Sequence, residues 1–256
     1  MAHSTTCQKC QASFLIEERD LAFYRSMSVP EPTFCPECRL RRRLSWINLR
    51  KLYSRPVGSS LLVISSYSPE KPYTIVRDDE WWEEKYELFD YGRPYDFSKP
   101  FFAQFDELLR SVPLPHLQRQ HATMENSEYC NGAAALKNCY LVFAADESEQ
   151  CYYSYSVENT KDSVDCAFIA HSELCFECVN CVNCFRTYYS QNCENCSDLM
   201  FSRDCIGCTS CVGCVNLKNK SFYIFNKPYS KTDYDDEISK LNLSSYASLQ
   251  EQCKRV

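Results

Sequence analysis

The sequence predicts an α+β chain in four parts. These are a small cysteine-knuckle unit over residues 1–57, an α/β connector over 58–125, a cysteine-cored β-solenoid over 126–226 and a helical cap over 227–256. Three observations predict this order. Two CxxC pairs stand alone near the N-terminus, with 24 residues between them. Fourteen further cysteines lie between 130 and 214, and every interval between them is a multiple of three. Beyond Asn226 the chain becomes polar, with helical spacing. A length of 256 residues with 45% hydrophobic content is that of a folded chain. No basic-then-apolar leader opens the sequence and no run of 18 apolar residues occurs, so a cytoplasmic protein without a membrane partner is expected. In a reducing compartment cysteine clusters act as metal ligands or buried thiols.

The first element is the quartet Cys7, Cys10, Cys35 and Cys38. Each CxxC places two thiolates on one side of a tight turn, and two such knuckles complete a tetrahedral S₄ site. Four protein ligands leave no open position, so the expectation is one structural zinc per chain and no metal catalysis. Pro36 suits the first turn of a helix, whose positive end favours the thiolates of the second pair. A knuckle whose last two ligands come from a helix N-terminus is the treble-clef arrangement.

From Arg39 to Tyr53 the spacing predicts a continuation of that helix. Leu40, Leu44 and Ile47 form an apolar stripe, and Arg39, Arg43 and Arg50 lie on another face with Trp46. Residues 1–57 carry ten Lys/Arg against five Asp/Glu, whereas the remainder carries 18 against 29. A polyanion partner would therefore meet the N-terminal part. Arg39, Arg42, Arg43, Arg50 and Lys51 are the candidate contacts to RNA, DNA or a nucleoprotein, and a solvated basic face or a protein partner is the plainer alternative.

Residues 7–43 resemble the small treble-clef family described as "probable zinc-ribbon" domains. The matching positions are Cys7, Cys10, Phe14, Glu17, Phe23, Tyr24, Pro32, Cys35, Cys38 and Arg39. The whole chain is also similar to cysteine-rich zinc-ribbon proteins of uncultured bacterial lineages. The resemblance implies architecture and no particular activity.

In the connector, Leu61–Ile64 and Tyr73–Val76 read as short strands on either side of a Ser-Pro-Glu-Lys-Pro turn. Asp79–Phe89 reads as a helix, and Ser98 as the N-cap of another helix through Arg110. Asp78, Asp79, Glu80, Glu83, Glu84, Asp90 and Asp96 could pair as carboxylates, and Asp90–Asp96 is the most unusual loop. It is the place for an enzyme of unrecognised type. The four histidines fall in no metal or triad pattern, and no GxSxG, HExxH, P-loop or GxGxxG occurs, so a non-enzymatic protein is the leading expectation.

The cysteine-rich part is a repeat. Reading every third residue from Cys130 to Leu217 gives 30 positions, none of them charged, aromatic, Asn, Gly or Pro. The preceding frame is rich in Asn, Asp and Gly, which tolerate left-handed backbone. This predicts small side chains pointing into a narrow solenoid, with strand pieces such as Tyr140–Phe143, Tyr152–Tyr155, Ala167–Ile169 and Ser221–Phe225 on its sides. Intervals of 12 and 18 both recur, so the coil length stays open. The sharp rival is iron–sulfur ligation. Cys175, Cys178, Cys181 and Cys184, and again Cys205, Cys208, Cys211 and Cys214, approach the ferredoxin run C-x₂-C-x₂-C-x₃-C-P, departing in the last gap and in lacking the Pro. Extra zinc among these thiols is a second rival. Tyr140, Phe143, Tyr152, Tyr155, Phe176, Phe185 and Tyr188 share one outward frame, as a stacking ladder for an extended ligand or as the packing face under the connector. In the tail, Thr232 and Asp235 form an N-cap pair before Ile238 and Leu241, a second helix is expected over Ser245–Lys254, and Cys253 is left as a free thiol.

Overall fold

The computed structural model describes residues 1–58, 61–83, 85–240 and 245. The chain divides into two compact units, Met1–Asn48 and Leu49–Val256.

In the first unit, β1 (His3–Thr6) and β2 (Ser13–Ile16) form an antiparallel hairpin, followed by α1 (Glu18–Ser26) and α2 (Pro36–Leu44). Cys7 and Cys10 lie in the hairpin turn, closed by Gln11 N–H to Cys7 O at 2.9 Å with Gln11 in the left-handed region. Helix α2 begins with Cys35 as N-cap and Pro36 at its first position, as the sequence predicts. It does not run on to Tyr53. Ser45 caps it, its hydroxyl donating to Arg42 O, and the amides of Trp46 and Ile47 turn to carbonyls three residues back. Such tightening is how a helix ends when its last carbonyls need donors. Arg50 and Lys51 therefore do not share a helix with Arg39, Arg42 and Arg43.

The second unit opens with a hairpin of β3 (Tyr53–Val57) and β4 (Leu61–Ser65). The expected strand at Tyr73–Val76 is only β5 (Ile75–Val76), paired in parallel with β6 (Leu114–Pro115). The expected helix over Asp79–Phe89 divides into α3 (Asp78–Trp82) and a 3₁₀ turn at Leu88–Tyr91. Helix α4 spans Phe101–Ser111 with Pro100 at its N-cap, and Ser98 instead donates to Asp96.

The solenoid is built from triplets. Every third residue from Asn126 to Phe225 has φ between 44° and 63°. The residue after each of these points inward, and all such positions from Cys130 to Cys214 are buried. Four triplets make one coil, because residues pair in parallel at a separation of 12: Phe143 with Tyr155, Tyr155 with Ala167, Ala167 with Val179. The coil length is thus 12, and the solenoid has about eight turns. Pairing starts earlier than expected, with Arg119 opposite Ala133. Tyr140–Phe143 and Tyr152–Tyr155 are not strands; continuous strand instead spans Phe143–Tyr152 and Tyr155–Glu158, and those two segments contain its breaks.

The three amide N–H groups of a triplet find different partners, and this explains the core composition. The residue after the inward one donates to a carbonyl eleven residues on, as Tyr155 to Cys166 at 2.9 Å. The left-handed residue donates to a carbonyl thirteen residues back, as Asn195 to Val182 at 3.0 Å. The inward residue's own N–H points toward the core and takes a side-chain acceptor one coil earlier. Ser154 Oγ accepts from Cys166, Ser163 from Cys175, Ser172 from Cys184 and Ser202 from Cys214, each at 3.1 Å, and Cys196 Sγ accepts from Cys208 at 3.4 Å. A buried amide without a partner costs about 1–3 kcal/mol. A core of Ser, Thr and Cys therefore answers both a narrow section and an inward row of donors. Left-handed backbone at a non-glycine residue costs on the order of 1 kcal/mol, which the ladder on both sides over-determines.

The last coil pairs Ser221–Ile224 with Lys227–Pro228, and α5 (Lys231–Ser239) covers it, Tyr234 being buried against Phe222. Its N-cap is Ser230, which accepts from Asp233 N at 3.1 Å, not Thr232. Leu241, the second tail helix and Cys253 lie outside the described residues.

Candidate metal centre and a buried polar cluster

The turn between β1 and β2 supplies Cys7 and Cys10, and the start of α2 supplies Cys35 and Cys38. Their four Sγ atoms lie within 4.8 Å of one another, and Cys10 Sγ is 3.8 Å from Cys35 Sγ. An S₄ tetrahedron with metal–sulfur bonds of about 2.3 Å has edges of about 3.8 Å, so the thiols already stand at ligating separation. Cys7, Cys35 and Cys38 are buried and Cys10 is exposed, with Phe14 and Phe34 packed alongside. Burial is the largest influence on Cys7 and opposes its ionisation, but backbone hydrogen bonds from Cys10, Cys35 and Lys9 outweigh it and bring the thiol down to about 6. Burial and the neighbouring thiols push Cys38 up to about 12. Ligation would require the thiols to ionise, and a metal ion would supply the positive charge that clustered thiolates need.

The candidate nucleic-acid residues are not equivalent. Arg39 Nη1 donates to Tyr24 Oη at 2.9 Å and ties α2 to α1. Arg42 lies over the Phe34 ring, 5.6 Å from its centroid. Arg42 and Arg43 are exposed and make no ion pair among the described residues, whereas Arg41 pairs with Glu37. Trp46 is 75% exposed just beyond the helix, and the predicted apolar stripe of Leu40, Leu44 and Ile47 is exposed as well. In the second unit, Arg50 lies over Tyr155 and Lys51 over Tyr53.

The solenoid tetrads are arranged differently from the N-terminal quartet. Cys175, Cys178, Cys181 and Cys184 occupy the four inward positions of one coil, and Cys205, Cys208, Cys211 and Cys214 those of another. Among the described residues only the N-terminal quartet gathers three or more ligand atoms within 4.8 Å. The solenoid thiols instead donate to carbonyls, as Cys178 to Thr187 O at 3.1 Å and Cys184 to Cys193 O at 3.5 Å. Hydrogen bonding from Cys178 and burial both raise the Cys175 thiol, and Cys184 is pushed up to about 11 with Cys181 the largest cause. All eight are buried, and Cys214 differs from Cys175 and Cys184 in being brought down to about 7, with the hydrogen bond from Cys211 the largest cause.

The outward aromatics fall on three sides. Phe143 and Tyr155 are register partners on one side, Phe143 buried and Tyr155 under Arg50; Tyr140, Tyr152, Phe176 and Tyr188 follow a second at intervals of 12 or 24 residues; and Phe185 lies on a third, under Arg186. Left-handed positions add rings that the sequence reading did not assign: Tyr153 meets Tyr140 edge-on, and Tyr189 stacks on Phe201 at 5.1 Å.

Asp90–Asp96 does not assemble paired carboxylates. Asp96 accepts from the Ser98 amide and hydroxyl, and its backbone is clasped by Gln104, so the loop is closed on itself beside α4.

The titratable cluster lies elsewhere and was missed. Asp78, at the start of α3, is buried, and its Oδ1 lies 2.7 Å from His116 Nε2 while Oδ2 accepts from Arg119 Nε. The other His116 nitrogen is 2.6 Å from Ile64 O. His121 Nδ1 is 3.5 Å from Asp78 Oδ2 and makes no hydrogen bond. Burial opposes the Asp78 charge, yet hydrogen bonds from His116 and Arg119 hold its carboxyl well below the usual carboxylate range. The pairing of β5 with β6 brings Asp78 to His116 across 38 residues of sequence. No local motif marks such a contact. The cluster locks α3 and β4 to the start of the solenoid.

No protein-family model matches this chain, and no curated protein matches it either.

Proposed function

We propose that this is a non-enzymatic, zinc-stabilised interaction protein whose N-terminal unit is a treble clef that binds single-stranded nucleic acid. The observation that carries the reading is the surface beside the quartet: Arg42 and Arg43, exposed and without carboxylate partners among the described residues, adjoin the exposed Trp46. Arginine supplies bidentate phosphate contacts, and an indole supplies a sequence-tolerant stacking face. Sulfur-only donors at tetrahedral spacing favour zinc, and its role is structural because all four ligands come from the protein. The free thiols among the described residues fit a reducing compartment, so the cytoplasm is the proposed location. The solenoid is read as a scaffold, since its thiols are engaged with carbonyls and do not converge.

Fluorescence anisotropy with a labelled 12-nucleotide single strand tests this reading. Arg42→Glu with Arg43→Glu should weaken binding at least tenfold and flatten the salt dependence, and Trp46→Ala should weaken it by about 1–3 kcal/mol at constant salt slope. Unchanged affinity in the double variant would leave the exposed row Leu40, Leu44, Trp46 and Ile47 to a protein partner instead.

A further inference from the structure

A second site lies in the unit formed by residues 49–256, and it goes beyond the nucleic-acid reading. A cleft of about 700 Å³ opens between α3 and the first full coils of the solenoid. One wall is Trp81 and Trp82, with ring centroids 5.2 Å apart and planes at 84°, so that the two indoles make a corner. The other wall carries Asp146 and Glu158 beside Gly132 and Ala144.

Two features point to a ligand. Asp146 and Glu158 are register partners on adjacent strands, about 4.8 Å apart at the backbone, and like charges directly opposite destabilise a sheet. Three other steps are complementary: Lys137 with Glu125, Lys161 with Glu149 and Arg186 with Asp198 are ion pairs across the same 12 residues. The Asp146–Glu158 rung has no cationic partner among the described residues. The Arg119 guanidinium near the cleft is engaged by Asp78 and by Ser127 O. Second, the wall is held in place before any ligand arrives. Trp82 Nε1 donates to Arg119 O at 3.1 Å, and Arg119 is fixed in turn by the buried Asp78. Gly132, at φ +63°, lines the cleft where a larger residue would be strained and its Cβ would come 2.6 Å from Leu49 Cδ2. A bulky side chain returns to this column only at Phe168.

Two carboxylates without a cationic partner among the described residues, one of them accepting only the Glu147 amide, line the same cleft as the indole corner and suit an organic cation, because ring faces attract it and carboxylates neutralise it. We propose that this cleft binds an alkylammonium group, carried either by a small quaternary amine or by a lysine side chain. The test follows the indole ¹H–¹⁵N resonances of the full chain during titration with choline, with N-acetyl-lysine methylamide, and with 3,3-dimethylbutan-1-ol as the neutral isostere of choline. The Trp81 and Trp82 signals should shift saturably with at least one cation while that of Trp46 stays still. Binding should weaken at least tenfold in Asp146→Asn with Glu158→Gln, two exposed positions whose exchange leaves the fold intact by circular dichroism. Saturation by choline alone assigns a small quaternary amine, and saturation by the lysine probe assigns a peptide side chain. Equal binding of the neutral isostere, unchanged affinity in the double variant, or no saturable shift with either cation would overturn the proposal.

Discussion

The N-terminal unit and the solenoid use the same side chain for opposite ends. In the first, four thiols from two turns converge to ligating distance, and one of them is drawn toward its charged form. In the second, thiols are spaced along the triplets, each donating to backbone carbonyls, and their sulfurs do not gather into a ligand group among the described residues. The difference teaches that cysteine count says little by itself. What decides the chemistry is whether the backbone turns bring sulfurs together or space them along a ladder.

The sharpest way to break the comparison is to make one chemical change in both regions. Cys35→Ser with Cys38→Ser should reduce bound metal from about one per chain to none. Because binding energy at such sites is folding energy, on the order of 10 kcal/mol, residues 1–48 should become protease-sensitive while the solenoid's melting is unchanged. A smaller effect is expected at Ser172→Ala. It leaves the Cys184 amide without its acceptor and should lower stability in urea by about 1–3 kcal/mol. The smallest is Cys178→Ser. Serine already fills equivalent inward positions at 154, 163, 172, 190 and 202, so the change should stay within about 1 kcal/mol with metal content unaffected.

Acid sharpens the same contrast. The Cys7 thiol is lowered from 9.0 to about 6, so the fold prefers its charged form. That preference is complete above the unfolded value and disappears as pH falls through about 6. Metal affinity should therefore weaken progressively as pH falls through about 6, where a proton competes for Cys7, with the far-ultraviolet β signal of the solenoid unchanged. An affinity that does not change between pH 8 and pH 5 would contradict thiolate ligation by the quartet.

Much of this was legible in the residues. The quartet stands out because its spacing is isolated from the other cysteines, and the inward frame stands out because a thin core excludes charge and rings at every third position. The coil length was not legible from cysteines, since a three-residue lattice alone does not fix how many triplets close a turn. The signal was present in other side chains: Asn180 with Asn192, Asn183 with Asn195, and Arg186 with Asp198 are all 12 apart and bonded across adjacent coils. The early end of α2 was hidden because its stripe continues through Ile47, beyond where the backbone tightens. Asp78 and His116 meet through a two-residue strand pairing that no local periodicity reveals.

The central claim is that only the N-terminal quartet holds metal. Its most direct test is metal content per chain, with the absorbance spectrum, for anaerobically purified protein and for a variant carrying Ser at 175, 178, 181 and 184. One zinc, no iron and the same stoichiometry in both proteins is the predicted result. About eight irons with absorbance near 400 nm, or metal lost with the solenoid cysteines, would contradict it.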